Sequence, residues 1–309
     1  MPPAMSTQPT DRAGGRAIGR TWEGVLLMVF TCACFAGMSA AIRHISAEVS
    51  VFQIAFIRNG IGTLILVPFM VRIGFGSFNL GRFKLFAVRA AIGVFAMWAW
   101  YSALQITPLA EAITLNFTVS LWMIPVAILM LGERVGPRRW IATVVGFAGV
   151  LVVLQPGAET VSVGGLLAIF AALMFATSMA LVRLLARSES PLAIVFYMNL
   201  IMTPLSLGPA LWWWEMPTME QLGWLLGIGC VLTIAHFSMA RALSIMEATA
   251  IVPLDFTRLP FAVLIGWFAF GEFPGIWTWV GAVFIVASAV YIARREALLG
   301  QRRPGAIGP

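Results

Sequence analysis

Apolar residues run through this chain in long stretches, separated only by short polar clusters. Ten such runs can be drawn: Trp22–Ile42, Val51–Val71, Phe83–Leu104, Pro108–Leu131, Arg139–Leu154, Val163–Leu184, Pro191–Trp213, Glu220–Ile245, Ala248–Phe270 and Ile276–Ile292. Each approaches the length an α-helix needs to cross a bilayer, about 20 residues. The intervening loops are short, and none has the composition of a soluble domain. The pattern predicts an all-α integral membrane protein with ten transmembrane helices. Polar tails flank the spans; residues 1–21 and 294–309 are rich in Pro, Gly and Arg and read as disordered.

Composition agrees with the pattern. The chain is 60% hydrophobic and 11% charged, against about 25% charged residues in soluble domains. A net charge of +7 would suit a nucleic-acid binder, but the basic residues sit in short loops between apolar runs, where membrane topology accounts for them. With the amino terminus in the cytoplasm, 17 of the 20 basic residues fall in inner loops and tails, Arg89 counted among them. Arg43 lies at an outer helix end, and Arg58 and Arg258 lie inside spans. The outer loops carry Glu48, Glu159, Glu215, Glu220 and Glu272 instead. Both termini are therefore placed in the cytoplasm, across an inner membrane. Cys32, Cys34 and Cys230 fall within apolar runs and read as buried apolar residues. Neither a metal site nor a cofactor is implied. The first span is too long for a signal-peptide core.

The chain also repeats itself. Leu115-Asn116-Phe117-Thr118 matches Leu254-Asp255-Phe256-Thr257 at an offset of 139, which also aligns Gly132-Glu133 with Gly271-Glu272 and Trp140 with Trp279. At an offset of 140, Ser39–Arg43 resembles Met179–Arg183, and Asn59 pairs with Asn199. Two repeats result, 22–154 and 163–293, joined by a linker at 155–162 that falls on the periplasmic side. Five spans is an odd number, so the repeats are expected to lie in opposite orientations. Inverted repeats with a site at their interface, around a central cavity, are a mark of secondary transporters.

The ninth run carries the strongest chemical signal, Pro253-Leu254-Asp255-Phe256-Thr257-Arg258-Leu259-Pro260. Asp255 and Arg258 share one helix face, and a charge at mid-bilayer costs about 3 kcal/mol on insertion scales. That face is expected to see protein or water, as a structural ion pair or a substrate site. Pro253 and Pro260 are expected to bend the helix, as in the interrupted helices of transporter sites. Arg58, deep in the second run, either joins Arg258 in holding a carboxylate or phosphate or pairs with Asp255 to hold helices together. Asn59 and Asn199 read first as interhelical hydrogen-bonding groups. His236, mid-way along the eighth run, suits either proton coupling or packing. Asn116 takes the place of Asp255 in the first half. Trp98, Tyr101 and Trp122 offer an aromatic lining for a planar ligand, or else part of an interfacial belt. Gly223 and Gly227 read as a small-xxx-small packing motif.

These residues resemble the drug/metabolite transporter superfamily and its EamA-like ten-helix members. The resemblance is carried by Pro108-Leu109-Ala110-Glu111-Ala112 running to Phe117-Thr118, then Leu131–Gly136 and Val145–Val150, and by their counterparts from Ala248 to Tyr291. Pro253–Arg258, followed by Trp277–Gly281, looks like a branch with S-adenosylmethionine and riboflavin uptake carriers. The resemblance implies two inverted bundles around a central cavity. It places the fifth and tenth helices at the periphery, open to homodimer contacts. The expected function is secondary transport of a small polar, zwitterionic or aromatic metabolite. No phosphate-binding loop of the G-x-x-x-x-G-K-[ST] form occurs, so ATP is not the expected driver. The alternative is a membrane-embedded enzyme on a lipid-linked substrate. Its catalytic cluster is hard to find with only His44 and His236, on different spans. No nucleic-acid partner is expected; lipid and a small molecule are.

Overall fold

A computed structural model describes residues 10–73, 82–132, 137–154, 162–185, 189–245 and 254–301. These form eleven helices: α1 (Thr10–Ile45), α2 (Val51–Ile73), α3 (Phe83–Ile106), α4 (Leu109–Asn116), α5 (Val119–Leu131), α6 (Pro137–Leu154), α7 (Val163–Leu185), α8 (Pro191–Trp212), α9 (Met219–Ile245), α10 (Arg258–Phe270) and α11 (Ile276–Gln301). Six segments are long and apolar enough to cross a membrane: Trp22–Ile45, Val51–Arg72, Phe83–Ile106, Leu109–Met130, Val163–Val182 and Leu192–Trp212. Four shorter apolar helices accompany them, Trp140–Val153, Met219–Ala235, Arg258–Phe270 and Ile276–Ser288. The protein is all-helical and multi-pass. Pro253, Glu247, Glu133, Gly136, Glu159 and the ends of both tails lie outside the described residues.

Helix starts and stops follow from local chemistry. Ser190 caps α8 by accepting from the Ala193 N–H at 3.2 Å, with Pro191 next to it at the position that needs no amide hydrogen. Thr218 and Gln221 form a capping box at α9, each side chain accepting from the other's N–H at 3.2 and 2.9 Å. Helices α5 and α10 both stop at a left-handed glycine, Gly132 at φ 66° and Gly271 at φ 67°. A side chain there would be strained, which explains why both halves keep glycine before Glu133 and Glu272.

The halves interleave rather than stand side by side. Helix α3 packs on α7, and its repeat counterpart α9 packs on α1; α2 packs on its own counterpart α8, and α6 on α11. The principal inter-half contacts thus come in matched sets. The largest apolar cluster draws on both halves and includes Ile54, Tyr101, Leu104, Leu109, Ile113, Leu115, Leu259 and Ile285.

Junctions α1–α2, α3–α4, α8–α9 and α10–α11 gather at one end with the start of α7. Gln53 donates to the Glu215 carbonyl at 2.7 Å, Gln105 to that of Ser46 at 2.5 Å, and Gln221 to the Glu48 carboxylate at 2.8 Å. Gly164 lies against Thr107, so close that a Cβ would fall 1.8 Å from its hydroxyl. At the opposite end Met70, Phe86, Leu185 and Tyr197 pack together. Helix α1 therefore ends where its counterpart α7 begins.

Helices α6 and α11 meet at a glycine contact. A Cβ on Gly281 would lie 2.6 Å from the Gly149 carbonyl oxygen and 2.3 Å from a Val153 methyl. Gly223 and Gly227 differ from the packing motif the sequence suggests: both are exposed, and a Cβ on either meets nothing within 4 Å. They border a groove of about 520 Å³ between α1 and α9, with Gly37 and Ala41 opposite.

Candidate functional site

The repeated Leu-Asn/Asp-Phe-Thr motif breaks a helix in both halves. Helix α4 ends at Asn116 and α5 begins at Val119, with Phe117 and Thr118 between them. The Thr118 hydroxyl donates to the Leu115 carbonyl at 2.6 Å, and the Thr257 hydroxyl to that of Leu254 at 2.7 Å. The Thr118 and Thr257 amides bond the same carbonyls at 3.1 and 3.0 Å, a tight three-residue turn. Pro260 lies in the first turn of α10, beyond the break and where proline is tolerated. The threonine turn is present in both halves, and Pro253, the other proline expected to bend this helix, lies outside the described residues. The fourth and ninth apolar runs, continuous in sequence, are thus each divided.

The two breaks meet. The Phe117 and Phe256 rings touch edge to face with centroids 4.9 Å apart. Around them stand the polar groups of both motifs. Asn116 is half-buried, and its amide nitrogen has no partner. Asp255 accepts from Arg258 Nη2 at 2.6 Å, and the guanidinium lies 4.9 Å from the Phe35 ring centroid on α1. Cys32, also on α1, donates to the Leu254 carbonyl at 3.5 Å and contacts Asp255 Oδ1 at 3.8 Å. Arg258 Nε remains unpartnered. The pair is partly exposed, at 35% for Asp255 and 20% for Arg258.

Arg58 does not pair with Asp255, as one of its two sequence readings had it. Its Nη1 donates to the Tyr101 hydroxyl at 2.8 Å and contacts Met97 Sδ at 2.8 Å, both on α3; its Nε has no partner. Trp98 stands beside this cluster, edge to face with Phe52 at 4.9 Å and Phe95 at 5.4 Å, its indole N–H buried without an acceptor. Trp213 stacks on the other side of Phe52 at 5.2 Å. Trp122 belongs elsewhere, edge to face with Phe147 of α6 at 4.8 Å. Asn59 is buried with neither amide atom partnered, so it does not bond Asn199. Instead the Asn199 amide occupies the space above Gly62, where a Cβ would fall 3.0 Å from its nitrogen. His236 lies on α9, but its side chain falls outside the described residues.

Two features escape the sequence reading. Arg43 and Glu272 form a two-pronged ion pair, with Arg43 Nη1 donating to Oε2 at 2.7 Å. Oε2 also accepts from the Leu109 N–H at 3.2 Å, an otherwise orphaned donor at the start of α4. Arg43 further lies 4.7 Å from the Phe270 ring centroid. One carboxylate thereby ties α1, α4 and the end of α10 together. The signal lies in the sequence: Arg43 is the one arginine at a helix end on the side where the loops are otherwise acidic. A double-mutant cycle on Arg43→Ala and Glu272→Ala is expected to give a coupling of about 1–2 kcal/mol in the melting transition. Glu272→Ala should cost the more of the two, because it strands both a guanidinium and an N–H. Additive losses would remove the pair's structural role. The second feature is Arg89, counted in sequence as an inner-loop residue. It stands within α3, with Nε buried and unpartnered.

An all-helical membrane protein of two interleaved halves, each with one helix broken at a polar turn, has the build of a membrane carrier. The chain belongs to the EamA-like transporter family, whose model matches residues 22–155 and again 162–294, and so to the drug/metabolite transporter superfamily. A riboflavin transporter of Vibrio cholerae serotype O1 is 30% identical over 287 residues, covering 91% of this chain and 96% of its own. An S-adenosylmethionine uptake transporter of Rickettsia bellii is 28% identical, covering 82% and 87%. A pseudopaline exporter of Pseudomonas aeruginosa is 28% identical, covering 89% and 97%. A crystal structure with a TM-score of 0.58 and 18% identity covers 94% of this chain and 99% of its own, a likeness of fold.

Proposed function

We propose that this protein is a secondary carrier of a small polar, zwitterionic or aromatic metabolite. The cargo binds at mid-depth where the broken helices meet, and the halves rock to expose it to each side in turn. The observation that carries this reading is the meeting of the two breaks at Phe117 and Phe256, flanked by the Asn116 amide and the Asp255–Arg258 pair. Interrupted helices free backbone groups and place charge inside a bundle, as binding at mid-membrane requires. Riboflavin and S-adenosylmethionine, named for two relatives, are the first cargoes to test. Labelled uptake into liposomes holding the purified protein tests the reading, and the absence of flux for a panel of such metabolites would overturn it.

The carrier is read as ten spans in two inverted repeats, with both termini in the cytoplasm. The arginine count supports the orientation, and the end of α1 lying beside the start of α7 supports the inversion. Reporter fusions at Glu159 are expected to read as periplasmic and those after Arg295 as cytoplasmic. A cytoplasmic signal at Glu159 would contradict the inversion.

A further inference from the structure

We infer that Arg58 and Arg89 form a two-step site for an anionic group, a carboxylate or phosphate, along one stripe of α3. This inference rests on the carrier reading only for the movement of the anion, not for its binding.

The arginines inside the bundle sort into two kinds. Asp255 neutralises Arg258, and Glu272 neutralises Arg43. Arg58 and Arg89 have no carboxylate partner among the described residues. Arg58 meets only a phenol and a thioether, neither of which carries charge. Both side chains are half-buried with Nε fully buried and unpartnered, and a buried guanidinium N–H with no counter-charge is costly. It persists where a ligand supplies the missing charge, and guanidinium suits the two oxygens of a carboxylate or phosphate.

The two arginines lie on one track. Arg89, Gly93, Met97 and Tyr101 follow each other at four-residue steps, and so wind slowly along one side of α3. Met97 and Tyr101 hold Arg58. Arg89 precedes Met97 by two turns, about 12 Å along the axis.

The direction in which Arg89 reaches is informative. It stands six residues beyond Phe83, the first residue of α3. An arginine there would ordinarily turn back to the near membrane surface and water. Its Nη1 instead lies beside Gly93, one turn further into the helix. A Cβ on Gly93 would fall 2.7 Å from that nitrogen and 3.4 Å from Met202 Cε of α8. The missing side chain of Gly93 is what lets the guanidinium lie inward along α3, on the side that carries Met97 and Tyr101. An anion released from one cation would find the next along the same stripe. Cargo with a negative group would therefore be favoured over the same scaffold without it.

The test uses the full chain in detergent, with sodium phosphate and sodium acetate against sodium chloride at matched ionic strength. At tenfold excess over Kd a bound anion should raise the melting temperature by about 3 °C. Arg58→Gln and Arg89→Gln should each lose most of that shift, and Arg89→Lys should keep part of it. Arg89→Met should melt no lower than wild type without added anion, because it removes an uncompensated charge. A response to either anion that both glutamine variants lose supports the site. Silence toward both anions, or a response unchanged in Arg89→Gln, overturns it. Uptake of riboflavin against riboflavin 5′-phosphate in liposomes separates the two readings. Flux without any anion response defeats the stripe alone; an anion response with no flux of any metabolite defeats the carrier reading alone.

Discussion

Asp255→Asn is expected to reduce initial uptake at least about tenfold, the equivalent of 1.4 kcal/mol in the transport barrier, while expression and melting stay near wild type. The first half of the chain predicts the tolerance, because its equivalent residue, Asn116, closes α4 with an amide at the same turn. The scaffold folds around an amide there, so the carboxylate is a specialisation of the second half. If Asp255 served only to neutralise Arg258, the double change Asp255→Asn with Arg258→Gln would recover what the single change lost. It is expected not to if, as proposed, the carboxylate serves cargo or a coupling proton. Recovered uptake in the double variant, measured across a pH gradient, would reduce Asp255 to an ion-pair partner.

Gly281→Ala should lower the melting temperature by at least about 5 °C, the effect of overpacking by a few kcal/mol. Its new methyl would meet the Gly149 carbonyl oxygen and the Val153 amide nitrogen, at 2.6 and 3.2 Å, and backbone atoms cannot turn aside. Gly223→Ala and Gly227→Ala carry the opposite sign. Nothing lies within 4 Å of a Cβ at either position, and alanine favours a helix by about 1 kcal/mol over glycine. Three glycine-to-alanine changes in apolar helices thus separate by direction. Equal melting in all three would mean that α6 and α11 do not meet at Gly281.

The contrast shows what the sequence could and could not convey. Gly223-Trp224-Leu225-Leu226-Gly227 has the spacing of a packing motif, yet spacing does not say which helix, if any, comes near. The repeat was more informative. Two copies of Leu-Asn/Asp-Phe-Thr placed the polar residues of the motif in register, and both copies form the same turn. The turn itself was not legible, because its cause is a threonine hydroxyl bonding a carbonyl three residues back, a contact without a hydropathy signature. The neighbours of Asp255 were likewise hidden. Cys32 and Phe35 lie more than 200 positions away in sequence and are ordinary apolar residues until α1 folds against the break. Arg58 is recognisable from its depth alone, but its partner is not: neither the shared anion with Arg258 nor the pair with Asp255 points to Tyr101, which only the packing of α2 on α3 brings to it. Arg89 was misplaced because a count of basic residues assigns an arginine near a span's end to the loop. Only the space over Gly93 reveals that it turns inward.

The interleaving of the halves also constrains how the chain is made. The face of α1 that packs on α9 has no partner until residues near 235 have been synthesised, roughly 200 positions later. At about 5–20 residues per second, the nascent chain waits some 10–40 seconds with that face uncovered. Helix α2, carrying Arg58 and Asn59, waits for α8 in the same way. Arg58 gains Met97 and Tyr101 once α3 is made, but the face of α2 that packs on α8 stays uncovered through that interval. A ribosome that stalls in the central linker would leave an intermediate with both faces uncovered, a natural substrate for insertion chaperones or membrane proteases. Slow codons placed there would be expected to reduce the yield of mature protein without altering a single residue.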